Sequence, residues 1–204
     1  MAGMRAARPG RYEYEVEAAL QQVYLARGAA GPSYPPIVGS GPNATILHYS
    51  ASTRRMEDGD LLLMDMGAEY GYYTADITRT IPVSGRFTGE QRDIYDLVLK
   101  AQRAAIEEMK PGNSMTAAHR KATDVIITGL NELGLVTDPS SQWQRKFYTI
   151  YHICHYLGLD VHDAGSSGNL VITARRGAAS GTLESSGPPG LAGGIPGPPV
   201  RLTA

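Results

Sequence analysis

Between Tyr12 and Arg27, apolar side chains at Tyr14, Val16, Leu20, Val23 and Tyr24 recur at helical spacing, and Gly28 is placed to stop the helix. Residues 29–45 are rich in Gly, Pro and Ser and read as a loop, with room for a short strand at Ile37-Val38. Ile46-Leu47-His48-Tyr49-Ser50 is predicted to be a short strand and Glu57-Asp58-Gly59-Asp60 a turn, followed by two strands over residues 61–70 and 72–83. Thr88-Gly89-Glu90-Gln91 has the pattern of a capping box. It opens a helix of about 20 residues whose apolar face carries Ile94, Leu97, Val98, Ala101, Ala105 and Ile106, ended by Pro111-Gly112-Asn113. A second long helix is predicted from Ser114 to Leu133, then a polar linker from Asp138, then an aromatic and apolar stretch over residues 147–157. After Asp163 the pattern collapses into Gly, Ala, Pro and Ser. Glu184 is the only acidic residue beyond that point, and Val171-Ile172-Thr173 is the last strand-like fragment.

Composition narrows the class. A chain of 204 residues carries one domain with a core, or one domain plus a tail. The net charge of −1 gives no reason to expect a nucleic acid or a charged membrane as partner. A single cysteine, Cys154, forbids an internal disulfide and suits a reducing cytoplasm. With no long apolar run and no secretory pattern at the N-terminus, a cytoplasmic protein is the expectation.

The chemistry centres on Asp65 and Asp76. Each interrupts a segment that otherwise reads as a buried strand, and a buried carboxylate needs a compensating cation. Gly67 and Gly71 lie between them, near where a hairpin would turn, so adjacent antiparallel strands would aim both carboxylates at one point. Two readings stand. The acids pair with Arg54, Arg55 or Arg79, or they bind a metal, with Mg, Mn or Ca favoured by oxygen ligands and Zn or Co once imidazole joins. His155 and His162, in His155-Tyr156-Leu157-Gly158-Leu159-Asp160-Val161-His162-Asp163, supply such imidazoles. Alone, His155 reads as a core histidine, and the acids flanking His162 either fix its tautomer or solvate a turn. His48, in an apolar pentapeptide, reads as a core residue. His119 reads as a surface residue, His152 has no assigned role, and Cys154 lacks the second thiol of a zinc motif.

Four ordered segments resemble the catalytic domain of the M24 metallopeptidases, the pita-bread fold, nearest their Xaa-Pro aminopeptidase (aminopeptidase P) branch. They are Ile46-Leu47-His48-Tyr49, Asp65-Met66-Gly67-Ala68-Glu69-Tyr70, Asp76-Ile77-Thr78-Arg79-Thr80-Ile81-Pro82-Val83, and the His155–Asp163 run; the helix opening at Phe87-Thr88-Gly89-Glu90-Gln91 also matches. The resemblance covers residues 10–173. It implies an α+β pita-bread domain and a centre of two divalent metal ions, usually Mn, with Zn or Co as alternatives. Asp65 would chelate one ion, Asp76 would bridge both and His155 would bind the second. His48 would line the substrate pocket and His162 would hydrogen-bond the substrate carbonyl. The implied reaction releases an N-terminal residue that precedes proline, from peptide substrates with proline at the second position, with self-association left open.

The resemblance also calls for two glutamate ligands. One belongs in a Glu-Pro-Gly context soon after Val171-Ile172-Thr173, where this chain has Ala174-Arg175-Arg176-Gly177; the other belongs to a later strand that the sequence does not show. The expectation is therefore a C-terminally truncated domain followed, over residues 174–204, by a low-complexity tail that is disordered or translated out of frame. Activity is expected to be impaired, and an open sheet edge to favour aggregation. The alternatives are a noncatalytic pita-bread module that binds peptides or proteins, and a prolidase-like dipeptidase.

Overall fold

Leu62 and Met64 point inward from the strand Leu61–Met66, while Leu61, Leu63 and Asp65 are only partly covered; this period of two seeds the first core. The computed structural model describes residues 1–164 and, as backbone alone, residues 172–173, 184–185 and 200–202. In chain order the elements are α1 (Ala2–Ala6), α2 (Glu13–Ala26), β1 (Gly31–Pro32), β2 (Ile37–Ser40), a 3-10 turn (Gly41–Thr45), β3 (Leu61–Met66), β4 (Ala68–Tyr70), β5 (Tyr73–Thr74), β6 (Ile77–Pro82), α3 (Gly89–Glu108), α4 (Met115–Glu132), α5 (Gln142–Tyr148) and β7 (Cys154–Tyr156), then β8 (Ile172–Thr173), β9 (Glu184–Ser185) and β10 (Val200–Leu202).

The chain divides into two units. The first comprises residues 1–92 and 158–161. Its antiparallel sheet has the order β2-β3-β6, with Asp65 opposite Thr78 and Met66 opposite Ile77; a smaller sheet has the order β1-β4-β5. Ala7, Val16, Leu20, Val38, Met56, Leu62, Met64 and Val83 form its core. Glu13, fully buried at the first position of α2, ties this unit together. Its carboxylate accepts hydrogen bonds from the Ser40 amide (2.7 Å) and hydroxyl (2.8 Å), the Asn43 amide (3.2 Å), the Tyr49 hydroxyl (2.8 Å) and the Arg54 amide (3.0 Å). A negative charge there also suits the positive end of the helix.

The second unit comprises residues 93–157 and 162–204. In it Leu97 of α3 packs with Ile127 and Leu130 of α4 and with Val136. A side chain at Gly129 would collide with Leu97, so the glycine sets how closely the two helices approach. β7 pairs antiparallel with β10.

The long helices form where the periodicity places them. The capping box is present in both directions, with the Gln91 amide donating to the Thr88 hydroxyl (3.3 Å) and the Thr88 amide to the Gln91 side chain (3.0 Å). Ser114 caps α4 by accepting from the Ala117 amide. Other expectations fail. Ile46–Ser50 is not a strand: the 3-10 turn runs into it, Leu47 and His48 turn with φ of 51° at His48, and Ile46, Leu47 and His48 are exposed, so His48 is not a core histidine. Tyr14 and Val23 on α2, and Ile94 and Ile106 on α3, are exposed rather than buried. His119 is half-buried rather than a surface residue. The continuous strands expected over 61–70 and 72–83 each break in two, at Gly67 and at Ala75-Asp76. Helices α1 and α5, of five and seven residues, add to the elements that the periodicity predicts. Most of the expected tail over residues 174–204 lies outside the described residues.

Candidate metal centre

The breaks in the two strands build the carboxylate pair. A Cβ on Gly67 would overlap the carbonyl of Ala75, so glycine is required for the chains to approach this closely. The Ala75 amide donates to the Ala68 carbonyl (3.0 Å), and the Ser33 hydroxyl donates to the Ala75 carbonyl (2.6 Å). Asp76 leaves this irregular segment buried, at 8% exposure, while Asp65 comes off the end of β3.

The two carboxylates meet at one hydroxyl. Tyr34 lies 2.8 Å from Asp65 Oδ1 and 2.6 Å from Asp76 Oδ1, and the Thr78 hydroxyl donates to Asp65 Oδ1 at 2.7 Å. A phenol has a single proton to give, so it serves the two anions in turn and holds them within reach of one centre. The three arginines weighed as partners for these acids make other contacts. Arg54 forms its ion pairs with Asp60 and Glu57, Arg55 donates to the Gly10 carbonyl at 2.8 Å, and Arg79 donates to the Thr78 carbonyl at 2.6 Å. Hard oxygen donors converging in this way fit a divalent cation.

The imidazoles form a second pair. His155 on β7 and His162 in the following turn have ring centroids 4.3 Å apart, tilted by 56°. His155 Nδ1 lies 2.8 Å from the carbonyl oxygen of Tyr156, which only accepts. A proton on Nδ1 satisfies this contact, and the neutral tautomer that carries it there is the one in which Nε2 can ligate a metal. His162 is exposed, and the Asp163 amide donates to the Tyr156 carbonyl at 3.2 Å. Between the histidines, the Gly158 carbonyl accepts from both the amide and the hydroxyl of Thr74, each at 2.8 Å, which pins the segment to the strand preceding Asp76.

Among the described residues, no group of three or more His, Cys, Asp and Glu side chains is gathered as a metal site. The structure thus brings Asp65 to Asp76 and His155 to His162, and leaves His48 exposed on its turn. Sequence reasoning missed Tyr34, whose loop Gly31-Pro32-Ser33-Tyr34-Pro35-Pro36 offers no periodic signal. It also missed Glu13, which fixes Tyr49 beside His48. No helix among the described residues is long and apolar enough to cross a membrane.

The model of metallopeptidase family M24 matches residues 1–186. The Xaa-Pro aminopeptidase of Haemophilus influenzae is 46% identical over 170 residues, covering 81% of this chain and 39% of the relative; that of Escherichia coli is 41% identical over 169 residues, covering 81% and 38%. Among solved structures, Pseudomonas aeruginosa aminopeptidase PepP superimposes with a TM-score of 0.79 at 40% identity, covering 90% of this chain and 42% of its own. A zinc-substituted E. coli aminopeptidase P in complex with product gives 0.78 at 40% identity, covering 82% and 39%. The chain spans about two fifths of the length of these relatives.

Proposed function

Because this chain belongs to metallopeptidase family M24 and carries its pita-bread architecture, we propose that its function is that of a metal-dependent aminopeptidase releasing an N-terminal residue that precedes proline. The observation that supports this most strongly is the single Tyr34 hydroxyl shared by Asp65 and Asp76. In this reading Asp65, Asp76 and His155 hold two divalent ions, Mn by preference and Zn or Co as substitutes. Such ions supply Lewis-acid polarisation of the scissile carbonyl and activation of water. Tyr34 and Thr78 orient the Asp65 carboxylate, and the Tyr156 carbonyl keeps the lone pair of His155 on Nε2. His162 donates a hydrogen bond to the substrate carbonyl, and His48 lines the pocket on the substrate's path.

The chain as written is proposed to be weakly active or inactive. Ala174-Arg175-Arg176-Gly177 stands where the family resemblance calls for a glutamate that binds metal and moves a proton. The same stretch favours a second reading, a noncatalytic module that binds peptides. Both are tested by incubating the purified chain with Mn²⁺ and a tripeptide bearing proline at its second position, with metal counted per chain by mass spectrometry. Mn-dependent release of the first residue with two ions bound supports the peptidase. Peptide binding with neither cleavage nor metal uptake replaces it with the module, and cleavage of the matching Xaa-Pro dipeptide, run in parallel, without cleavage of the tripeptide replaces it with a prolidase-like enzyme.

A further inference from the structure

Outside the carboxylate and imidazole pairs just described, the second unit holds another pair of histidines. His119 lies in the second turn of α4 and His152 lies just before β7, with ring centroids 5.0 Å apart and planes tilted by 46°. His119 Nδ1 is buried and has no hydrogen-bond partner among the described residues, while His152 is exposed to solvent. A buried ring nitrogen without a partner costs free energy, and two imidazoles facing each other repel as soon as both are protonated. One shared cation relieves both problems.

We propose that His119 and His152 together bind one borderline divalent transition-metal ion, of the Zn²⁺ or Ni²⁺ class, with water completing the coordination sphere. The spacing fits. With metal–nitrogen bonds of about 2.0–2.1 Å and a tetrahedral angle between them, two imidazoles on one ion hold their ring centroids about 5 Å apart. The ligand class fits as well, since neutral imidazole nitrogens select Zn, Ni and Cu over Mg, Ca and Mn. Burial, followed by the neighbouring His152, pushes the His119 imidazole below its ordinary value, which keeps it in the neutral form that ligates. Solvent reaches the site through His152. This site shares no ligand with the one built on Asp65 and Asp76 and does not depend on the peptidase reading.

The test is a calorimetric titration of the full chain with Ni²⁺ at pH 7.5, repeated on His119→Ala, His152→Ala and an Asp65→Asn/Asp76→Asn double variant. One ion per chain is expected in the double aspartate variant, and in the parent the same ion adds to whatever is held at Asp65 and Asp76. Each histidine variant should lose at least roughly tenfold in affinity, because removing a ligand costs no less than removing the group that orients one. Far-UV circular dichroism checks that each variant is folded. His152→Ala, at an exposed position, keeps the test decisive if His119→Ala does not fold. Electron paramagnetic resonance with Cu²⁺ gives an independent readout: two coupled nitrogens in the parent and one in either histidine variant. Unchanged Ni²⁺ affinity in the folded histidine variants, or uptake abolished by the aspartate variant alone, overturns the proposal.

Discussion

Replacing Glu13 by alanine is expected to destabilise the fold by about 3–5 kcal/mol, because it strips the partner from the buried Ser40 amide and the half-buried Arg54 amide at once. The carboxylate is fully buried and accepts from the amides of Ser40 and Arg54 and from the hydroxyls of Ser40 and Tyr49. Each orphaned amide costs about 1–3 kcal/mol, whereas the hydroxyls turn to other partners and lose about 1 kcal/mol or less apiece. Against a total stability of about 5–15 kcal/mol, that is a large share. Glu13→Gln keeps the volume but turns an NH₂ group toward donors, so roughly half the loss is expected.

The pH dependence has a definite sign. Burial raises the Glu13 carboxyl pKa, but the hydrogen bonds from Ser40, Arg54 and Tyr49 prevail and hold it below the ordinary 4.5. A depressed folded-state pKa contributes stability above the unfolded value and loses it as pH falls through the folded value. The parent should therefore lose stability between about pH 5 and 3 more steeply than Glu13→Gln does. Urea unfolding followed by circular dichroism at several pH values measures both effects. Glu13→Ala within about 1 kcal/mol of the parent, less than a single orphaned amide, would refute the reasoning. So would identical acid slopes for the parent and Glu13→Gln.

Three further outcomes follow from the same geometry. Gly67→Ala should cost at least about 3 kcal/mol, since its methyl group meets the Ala75 backbone carbonyl and not a side chain that can step aside; a thermal melt indistinguishable from the parent's would contradict this. Tyr34→Phe should leave the unfolding midpoint nearly unchanged but weaken Mn²⁺ binding by roughly tenfold, as read by calorimetry, because the acids lose the hydroxyl that orients them; equal affinity counts against that role. Cys154 is buried, and burial pushes its thiol up to about 11, so iodoacetamide at pH 8 should modify it only after unfolding; equally fast alkylation of the native chain, by mass spectrometry, would argue otherwise.

Much of this architecture can be read from the chain because its signals are local and periodic. The two long helices announce themselves through Thr88, Gln91 and Ser114 and through apolar spacing, and Asp65 and Asp76 stand out as charges within strands. The failures have local causes too. Ile46–Ser50 has the apolar composition of a strand, but Pro42 starts a 3-10 turn whose Thr45 hydroxyl donates back to the Pro42 carbonyl, and the chain is already turning when it reaches Leu47. Tyr14 sits two residues before Val16, about 200° around the helix, so despite its apolar ring it lies off the buried stripe of Val16 and Leu20. Tyr34 and Glu13 are of another kind. Their partners lie 27 to 42 residues away, and nothing in their own neighbourhoods marks them.

The tie between Thr74 and the Gly158 carbonyl bears on how the molecule comes into being. The partners are 84 residues apart, and the first unit is completed only by residues 158–161. On a ribosome adding about 5–20 residues per second, the segments bearing the two aspartates wait roughly 4–17 s for the stretch that secures them. Closing so long a loop also costs entropy before the contact repays it. The carboxylate hairpin is thus made early and fastened late. During that interval its edge is open to whatever strand arrives first, and the rate of synthesis past Gly158 becomes a determinant of how much chain reaches the native state.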